Sequence, residues 1–219
     1  MKNLTTTLTL ILSITCFSQN TKDLIGDLSR QTGTSLYIRP TITDPTIQKH
    51  YINAELKRAY IDGIDGVNKL RYNGLTDQME YLNNDEVLNL VRNESVLIKF
   101  IYNDAKFKVF NYLDEKTNLK NRYLQILIDN PEKYSLYKSF EVSNVVNENK
   151  SSYQSIDDNK ILTETNYFIG YNGLINEIPR SSKKINEIFK ADFDQIIKSN
   201  KLNLKKEEDL KKLIDLLNK

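Results

Sequence analysis

The stretch 69–82, read KLRYNGLTDQMEYL, holds the densest group of chemically capable side chains in this chain. Its Asn-Gly pair is the strongest short-range signal for a β-hairpin, because both residues tolerate a positive φ. The letters YNGL recur at 171–174, again between two apolar segments. The pattern therefore predicts a turn first, with Arg71, Asp77 and Glu80 as solvated rim charges. It also defines a candidate interaction surface, made of Arg71, Tyr72, Asp77, Glu80 and Tyr81.

Four carboxylates, Asp62, Asp65, Asp77 and Glu80, lie close together in the sequence. Two carboxyl groups about 5 Å apart serve a retaining glycosidase, and a wider pair serves an inverting one. A carboxylate-based hydrolase is therefore a remote alternative function, since acidic residues near turns are usually solvated. The stretch 62–68 (DGIDGVN) lacks the residue spacing of a calcium loop, so its two Asp-Gly pairs predict hairpin chemistry instead.

The residue types that most catalytic and metal sites need are scarce. His50 is the only histidine, Cys16 is the only cysteine, and tryptophan is absent. A Ser-His-Asp or Cys-His arrangement would depend on His50, which lies in a polar context without a nucleophile signature, and zinc needs several His or Cys ligands. The chain also lacks the P-loop, dinucleotide-binding and nucleophile-elbow motifs. We predict a non-catalytic protein with no cofactor and no metal site.

The first eighteen residues have the layout of a secretory signal peptide. Lys2 supplies the positive charge, residues 4–17 form the apolar run, and Gln19 is the predicted mature start. No later apolar run is long enough for a transmembrane helix, so we expect no membrane anchor after cleavage and an exported, periplasmic or outer-membrane-associated protein. Lipidation of Cys16 is the alternative, although the preceding LSIT departs from the residues that such sites favour.

The charge balance excludes one large class of partner. The chain has 31 basic and 29 acidic residues, a net charge of +2, with 39% hydrophobic residues. A charge this small gives no strong attraction to nucleic acid. The composition is that of a folded globular protein.

Strand-like segments fill the centre of the chain. A weak helix pattern at 21–31 and extended chain at 33–45 precede them. Segments rich in Val, Ile, Phe and Tyr, separated by short turns, predict strands that pair antiparallel with their neighbours. These predicted strands are 56–61, 67–72, 78–82, 86–91, 96–102, 107–113, 122–128, 134–142 and 166–171. The polar stretch 144–160 reads as a loop.

The period of the apolar residues changes at Pro179. Helical spacing of apolar side chains predicts one helix from about 182 to 198 and a second, capped by Asn203, that includes 210–217. The fold class is therefore α+β: a signal peptide at 1–18, an antiparallel β-rich domain at 19–178 in the form of a meander, open sheet, sandwich or barrel, and a two-helix hairpin at 179–219 packed on it.

The residues of the opening stretch also carry a family likeness. Residues 70–73 (LRYN) followed by 77–80 (DQME) resemble the core of a family of uncharacterised exported proteins of Bacteroidota-type bacteria, which reads L-R-Y-N, two or three residues, then D-x-M-E. The tail, with 178–181 and 198–210, looks like the C-terminus of the same family, while 33–54 departs from its start. The resemblance covers most of 70–217. It implies export and a β-rich body with a helical tail, but no known activity and no functional residues.

Three functions compete on these grounds. The leading hypothesis is a non-catalytic cell-envelope protein that binds another protein or an outer-membrane component, because tyrosine, which is abundant here, is a favoured recognition residue. The alternative is a carrier of a small apolar ligand in a cavity of the sheet, since apolar residues occupy both faces of 96–102. The carboxylate-based hydrolase is the third.

Overall fold

The computed structural model describes residues 38–40, 50–84, 86–145, 160–179, 181–189 and 193–219. The predicted signal peptide with Cys16, the predicted helix at 21–31 and most of the predicted loop at 144–160 lie outside these residues. The described part is β-rich with helices at its C-terminal end, which confirms the α+β class.

The described residues form eleven strands and three helices. The strands are β1 (Ile38–Pro40), β2 (Lys57–Ile61), β3 (Ile64–Asn73), β4 (Gln78–Asn83), β5 (Glu86–Leu90), β6 (Leu97–Phe100), β7 (Lys106–Leu113), β8 (Leu119–Ile128), β9 (Ser135–Val145), β10 (Lys160–Tyr171) and β11 (Leu174–Glu177). The helices are α1 (Ser182–Phe189), α2 (Phe193–Ser199) and α3 (Glu207–Leu217).

The nine predicted strands are confirmed as β2 to β10, because β-branched and aromatic residues marked each of them. The prediction missed two strands, β1 and β11. It was also wrong about the start of β10 and the end of β9, since Lys160 and Val145 are paired across these strands instead of lying in a loop. Thr163, Glu164 and Thr165 are exposed, and so this part of β10 gives no apolar strand signal.

Five of the strands close into a barrel. The sheet order β1-β5-β4-β3-β2-β6-β7-β11-β10-β9-β8 is completed by a second pairing between β7 and β8. The barrel strands are therefore β7 to β11, and the first six strands continue the sheet away from β7. Every pairing is antiparallel except that of β11 with β7, which is parallel through Asn176 and Leu113, and β5 pairs with β1 and β4 instead of with its sequence neighbour β6. We call the barrel end where β7 and β11 stop, and β8 and β10 begin, the mouth.

Three apolar clusters hold these layers together. Inside the barrel, one inward side chain from each strand packs at the centre: Tyr112, Leu124, Tyr137, Phe168 and Ile175. Strands β2 to β6 pack a second cluster against β7 and β8, and the alternation of Tyr123 and Leu124 places neighbouring residues of β8 in different clusters. The third cluster lies between the three helices and the outer face of β9 and β10.

The helices dock on the barrel but differ from the prediction. The single helix predicted at 182–198 is two helices, α1 and α2. Lys206 is the N-cap residue of α3 and makes no side-chain cap bond, so the prediction that Asn203 caps this helix was wrong. Lys138 of β9 and Glu207 of α3 form an ion pair at 2.8 Å, which fixes the start of α3 to the barrel. At its other end, Asn218 exchanges two side-chain hydrogen bonds with the backbone of Tyr134, both at 2.9 Å.

The two Asn-Gly pairs have different roles. Asn172 and Gly173 both have positive φ, 50° and 76°, and join β10 to β11 in a two-residue turn, as predicted. In the first pair the positive φ falls on Asp77 instead, at the end of a four-residue turn between Asn73 and Gln78. Gly74 serves close packing: a Cβ built there would lie 2.4 Å from Cδ1 of Phe140.

Replacing Gly74 with alanine is expected to lower the free energy of unfolding by about 1–3 kcal/mol, the usual cost of overpacking. The Cβ would displace the Phe140 ring and strain two backbone hydrogen bonds of Gly74, to His50 and Val142. Urea denaturation measures the change. Most of this loss in the free energy of unfolding should disappear when Gly74→Ala is made in a Phe140→Ala variant. If Gly74→Ala costs as much there as in the wild type, crowding by Phe140 is not the reason for this glycine.

Candidate functional site

The two carboxylates of the opening stretch lie in separate buried networks. Glu80 of β4 is completely buried and lies opposite Arg71 of β3. Its Oε2 atom is 2.6 Å from Nε of Arg71, and its Oε1 atom accepts hydrogen bonds from the Tyr51 hydroxyl at 3.1 Å and from the Asn73 side chain at 2.9 Å. Arg71 also donates to the Ala54 carbonyl and stacks on the Tyr51 ring at 4.1 Å. Every strong polar group in this network has a partner.

Asp77 is the centre of the second network. Its Oδ1 atom accepts hydrogen bonds from the Tyr72 hydroxyl at 2.7 Å and from the backbone N–H of Tyr123 at 3.2 Å. Its Oδ2 atom lies 2.6 Å from Nη2 of Arg92, and Nε of Arg122 is 3.7 Å from Oδ1. Arg122 also forms an ion pair with Glu141 at 2.8 Å.

The turn that carries Asp77 fills a split in the barrel. Pairing between β8 and β9 stops at Gln125 and Lys138, although both strands continue towards the mouth. In the split, Tyr123 of β8 donates its free N–H to Asp77, and Val142 of β9 donates its N–H to the carbonyl of Gly74 at 3.2 Å. The turn therefore satisfies backbone groups that two neighbouring strands leave open.

Burial shifts the pKa values in this region. It raises the pKa of the Asp77 carboxyl, while Arg122, the Tyr72 hydroxyl and Arg92 act in the opposite direction. Burial and the neighbouring Asp77 charge raise the pKa of Tyr72 well above its usual value. Burial would lower the pKa of Arg122, but the surrounding phenols and carboxylates outweigh it and raise the pKa. Tyr72 therefore keeps its phenolic proton and Arg122 its positive charge at neutral pH.

The prediction that Arg71, Asp77 and Glu80 are solvated rim charges was wrong, because cross-strand pairing and the barrel split bury them. Tyr72, Asp77, Glu80 and Tyr81 are at most 8% exposed, and the side chain of Arg71 is 15% exposed. An interaction surface made from these five would offer almost no area. Their hydrogen bonds and ion pairs hold the β3–β4 hairpin and the barrel split in place, and the candidate site described below lies elsewhere.

The structure divides the four carboxylates of the hydrolase hypothesis into two groups. Asp62 and Asp65 are exposed at one end of β3, and Asp77 follows its other end, a distance of about 30 Å along a strand of this length. Asp77 and Glu80 are each held by an arginine. The first Asp-Gly pair forms the β2–β3 turn, and the second lies inside β3 beside a register shift, with φ of +86° at Gly66.

Alkaline titration should reveal the Tyr51–Glu80 contact. Burial and the Glu80 charge raise the pKa of Tyr51 from 10.0 to about 12. Between these values the unfolded chain loses the phenolic proton and the folded chain keeps it. The contribution of Tyr51 to the free energy of unfolding is therefore complete below pH 10 and is lost as the pH rises towards 12. Urea denaturation across this range measures the slope, which we expect to be shallower in Tyr51→Phe. Equal slopes would show that Tyr51 ionises as freely in the folded protein as in the unfolded chain.

A groove of about 1120 Å³ opens at the mouth of the barrel. One wall is the β7–β8 turn and the other is the first half of β10, with the end of β11 and the loop before α3 completing it. The groove is lined by Asp114, Glu115, Lys116, Asn118, Lys120, Glu164, Thr165, Asn166, Tyr167, Glu177, Ile178, Pro179, Leu204 and Lys205. None of these was predicted from the sequence to be a functional residue. The only sequence signal near the groove is the second YNGL, which marks the hairpin of β10 and β11.

The groove has four carboxylates and three lysines in its lining, and none of them forms an ion pair with another described residue. Burial raises the pKa of Glu177, and the nearby charges of Glu115, Asp114 and Glu141 add to this, although the Glu115 N–H donates to Glu177 at 3.3 Å. The charged groups of the two buried networks form ion pairs with one another inside the protein. In the groove, the Asp114 carboxylate accepts hydrogen bonds within the β7–β8 turn, from the Lys116 N–H and from the backbone and side chain of Asn118.

Comparison of the chain with protein-family models, curated proteins and solved structures finds no match. Within the described ranges, no three His, Cys, Asp or Glu side chains gather closely enough to hold a metal ion. None of the three described helices has the length and apolar character needed to cross a membrane. The candidate site therefore stands on the geometry of the groove alone.

Proposed function

We propose that this protein is an exported, non-catalytic protein of the cell envelope that binds another protein, or an envelope component, through the groove at the mouth. The observation that carries the proposal is the groove itself, at about 1120 Å³ with seven charged side chains that form no ion pair with a described residue. Its volume is at the upper end of the range for small-ligand pockets, which fits part of a larger molecule.

The polar character of the groove supports a hydrogen-bonded and charged partner. Ile178, Pro179 and Leu204 give it a small apolar side, while charged and amide side chains form most of its walls. Such mixed surfaces give specificity through complementary charges more than through apolar burial. Export is supported by the predicted signal peptide and by the resemblance of 70–80 to an exported family.

The two other functions gain less support. A carrier of an apolar ligand needs an apolar cavity, but aromatic and aliphatic side chains fill the barrel interior, where the rings of Tyr112 and Phe168 are 4.7 Å apart. On 96–102, Ile98 and Phe100 are buried core residues and Ile101 and Tyr102 are exposed. For the hydrolase, Asp77 and Glu80 of the opening stretch are each held by an arginine.

Site-directed photo-crosslinking in the producing cells tests the proposal. A photoreactive phenylalanine analogue replaces Lys120 or Thr165 on the two walls of the groove, or exposed Tyr60 on β2 as the matched control. We expect a discrete crosslinked species from the envelope fraction with the two groove positions and not with Tyr60. Equal crosslinking at all three positions, or none at the groove, would overturn the groove as the binding site.

A further inference from the structure

The first half of β10 has one edge that no described strand covers. The whole strand pairs with β9 on one side, from Lys160 to Gly170, without a register shift. On the other side β11 covers only Phe168 to Tyr171. One further bond joins the Ile178 N–H to the Tyr167 carbonyl at 2.8 Å. Beyond it lies the groove.

The direction of the free backbone groups follows from that last bond. The Tyr167 carbonyl points to the β11 side, and in a regular strand the backbone groups of alternate residues point to the same side. The N–H and C=O of Ile161, Thr163 and Thr165 therefore point to the open side of β10, where Thr165 lines the groove. Those of Leu162 and Glu164 point to β9. We call Ile161, Thr163 and Thr165 the β10 edge.

Pro179 explains why this edge stays open. The β10–β11 register, continued by one residue beyond Ile178, would place Pro179 opposite Asn166. The backbone groups of Asn166 point to β9, so the missing N–H of proline takes no bond from β10, but its fixed φ favours the departure of a chain from a ladder. The chain passes from Pro179 to α1 instead of extending β11. No described strand therefore pairs with the β10 edge, which lies beside a groove that no described residue fills.

We propose that the groove binds an extended peptide segment of a partner protein, which adds as a strand to the β10 edge. The inference rests on the proposed function of the groove as a binding site. Three residues with one donor and one acceptor each specify an extended backbone, as in other cases of strand addition. Residues 160–165 run about 20 Å, long enough for a segment of about six residues.

The charges near the β10 edge indicate which side chains the partner segment carries. Glu164 is exposed between the residues of the β10 edge, and Glu177 lies near the like charges of Glu115 and Asp114 without a described cation to neutralise it. Opposite charges on adjacent strands stabilise a sheet. One or two basic side chains on one face of the segment would meet these carboxylates. Lys116 and Lys120 on the other wall disfavour a longer basic run.

Amide hydrogen exchange, followed by NMR on the mature chain, tests the inference. The probe is a capped peptide of β-branched residues, about seven residues long, with two lysines on one face. At millimolar peptide we expect slower exchange at Ile161, Thr163 and Thr165, and little change at Leu162 and Glu164, whose amides already pair with β9. Two controls leave the protein untouched: the same peptide with glutamates for lysines, and one with alternate backbone N-methyl groups. Both should bind at least about tenfold more weakly.

A variant of the strand gives a second test. Thr163→Pro removes one N–H that points to the open side of β10 and none that pairs with β9, and it should weaken peptide binding about tenfold. Thr163→Val keeps the N–H and should bind like the wild type. If the proline variant does not fold, as judged by its NMR spectrum, the N-methylated peptide decides the question.

The outcomes separate this inference from the proposed function. Peptide binding without alternate protection of the β10 edge, or no peptide binding at all, overturns strand addition. The groove remains a binding site in either case if photo-crosslinking from Lys120 and Thr165 persists. Self-association that Thr163→Pro abolishes would make a second copy of the chain the occupant and would also overturn the inference.

Discussion

Replacing Asp77 with alanine is expected to lower the free energy of unfolding by about 3–5 kcal/mol, the cost of removing one partner from a buried ion pair. The change leaves the guanidinium groups of Arg92 and Arg122 without this counter-charge. It also takes the acceptor from the Tyr72 hydroxyl and from the Tyr123 N–H in the barrel split. Chemical denaturation followed by far-ultraviolet circular dichroism measures the loss.

Asp104→Ala is the matched control for this substitution. Asp104 also has a positive φ, 55° against 52° for Asp77, and also pairs with a cation, Lys99 at 3.0 Å. It is exposed, so its replacement should cost only the strain of a left-handed alanine, about 1–2 kcal/mol, and at most about 1 kcal/mol for the pair. If the two substitutions cost the same, the buried network around Asp77 contributes nothing beyond the backbone.

Asp77→Asn separates charge from hydrogen bonding. Asparagine keeps a side-chain oxygen for Tyr72 and tolerates the positive φ, but it lacks the charge that faces the two arginines. We expect a loss between those of Asp104→Ala and Asp77→Ala. A loss as large as that of Asp77→Ala would place the whole effect in the charge.

The second large effect is expected at Glu80. Glu80→Leu should also lower the free energy of unfolding by about 3–5 kcal/mol, because Arg71 is left largely buried without its counter-charge. The hydroxyl of Tyr51 and the amide of Asn73 lose their acceptor at the same time. Urea denaturation at neutral pH gives the value.

The double variant Arg71→Met, Glu80→Leu is the informative control. Apolar replacement of a whole buried ion pair is often neutral, so the double variant should be more stable than Glu80→Leu alone. Recovery stays incomplete because Tyr51 and Asn73 still lack an acceptor. If the double variant loses the sum of both single losses, the two residues act independently and the pair has been misassigned.

These two networks explain why the richest stretch of the sequence offers little exposed surface. A β-hairpin places Arg71 opposite Glu80, and the turn after it carries Asp77 into the barrel split. The same chemistry that would suit recognition at a surface is used to close the fold. The proposed binding groove takes its charged side chains from four distant parts of the chain.

The sequence by itself determined most of the secondary structure. Alternating apolar residues with turn residues between them marked β2 to β9, and helical spacing marked the C-terminal helices, because both signals are local. The second Asn-Gly turn was also predictable, since two residues with positive φ suffice for it. Polar strand segments such as 163–165 carry no such signal, and the short β11 was missed for lack of length.

Only the tertiary structure decided burial, closure and the site. Whether Asp77 is a rim charge or the centre of a network depends on Tyr123, Arg92 and Arg122, which the chain brings to it from a distance. The closure of the barrel depends on a parallel contact between β7 and β11, which are far apart in sequence. Local patterns report what one strand can bury, but strand order and free edges are set by the packing of all strands at once. The groove exists because β11 ends at Glu177, shortly before Pro179, while β10 continues along the sheet, and that difference is visible only when the two strands lie side by side.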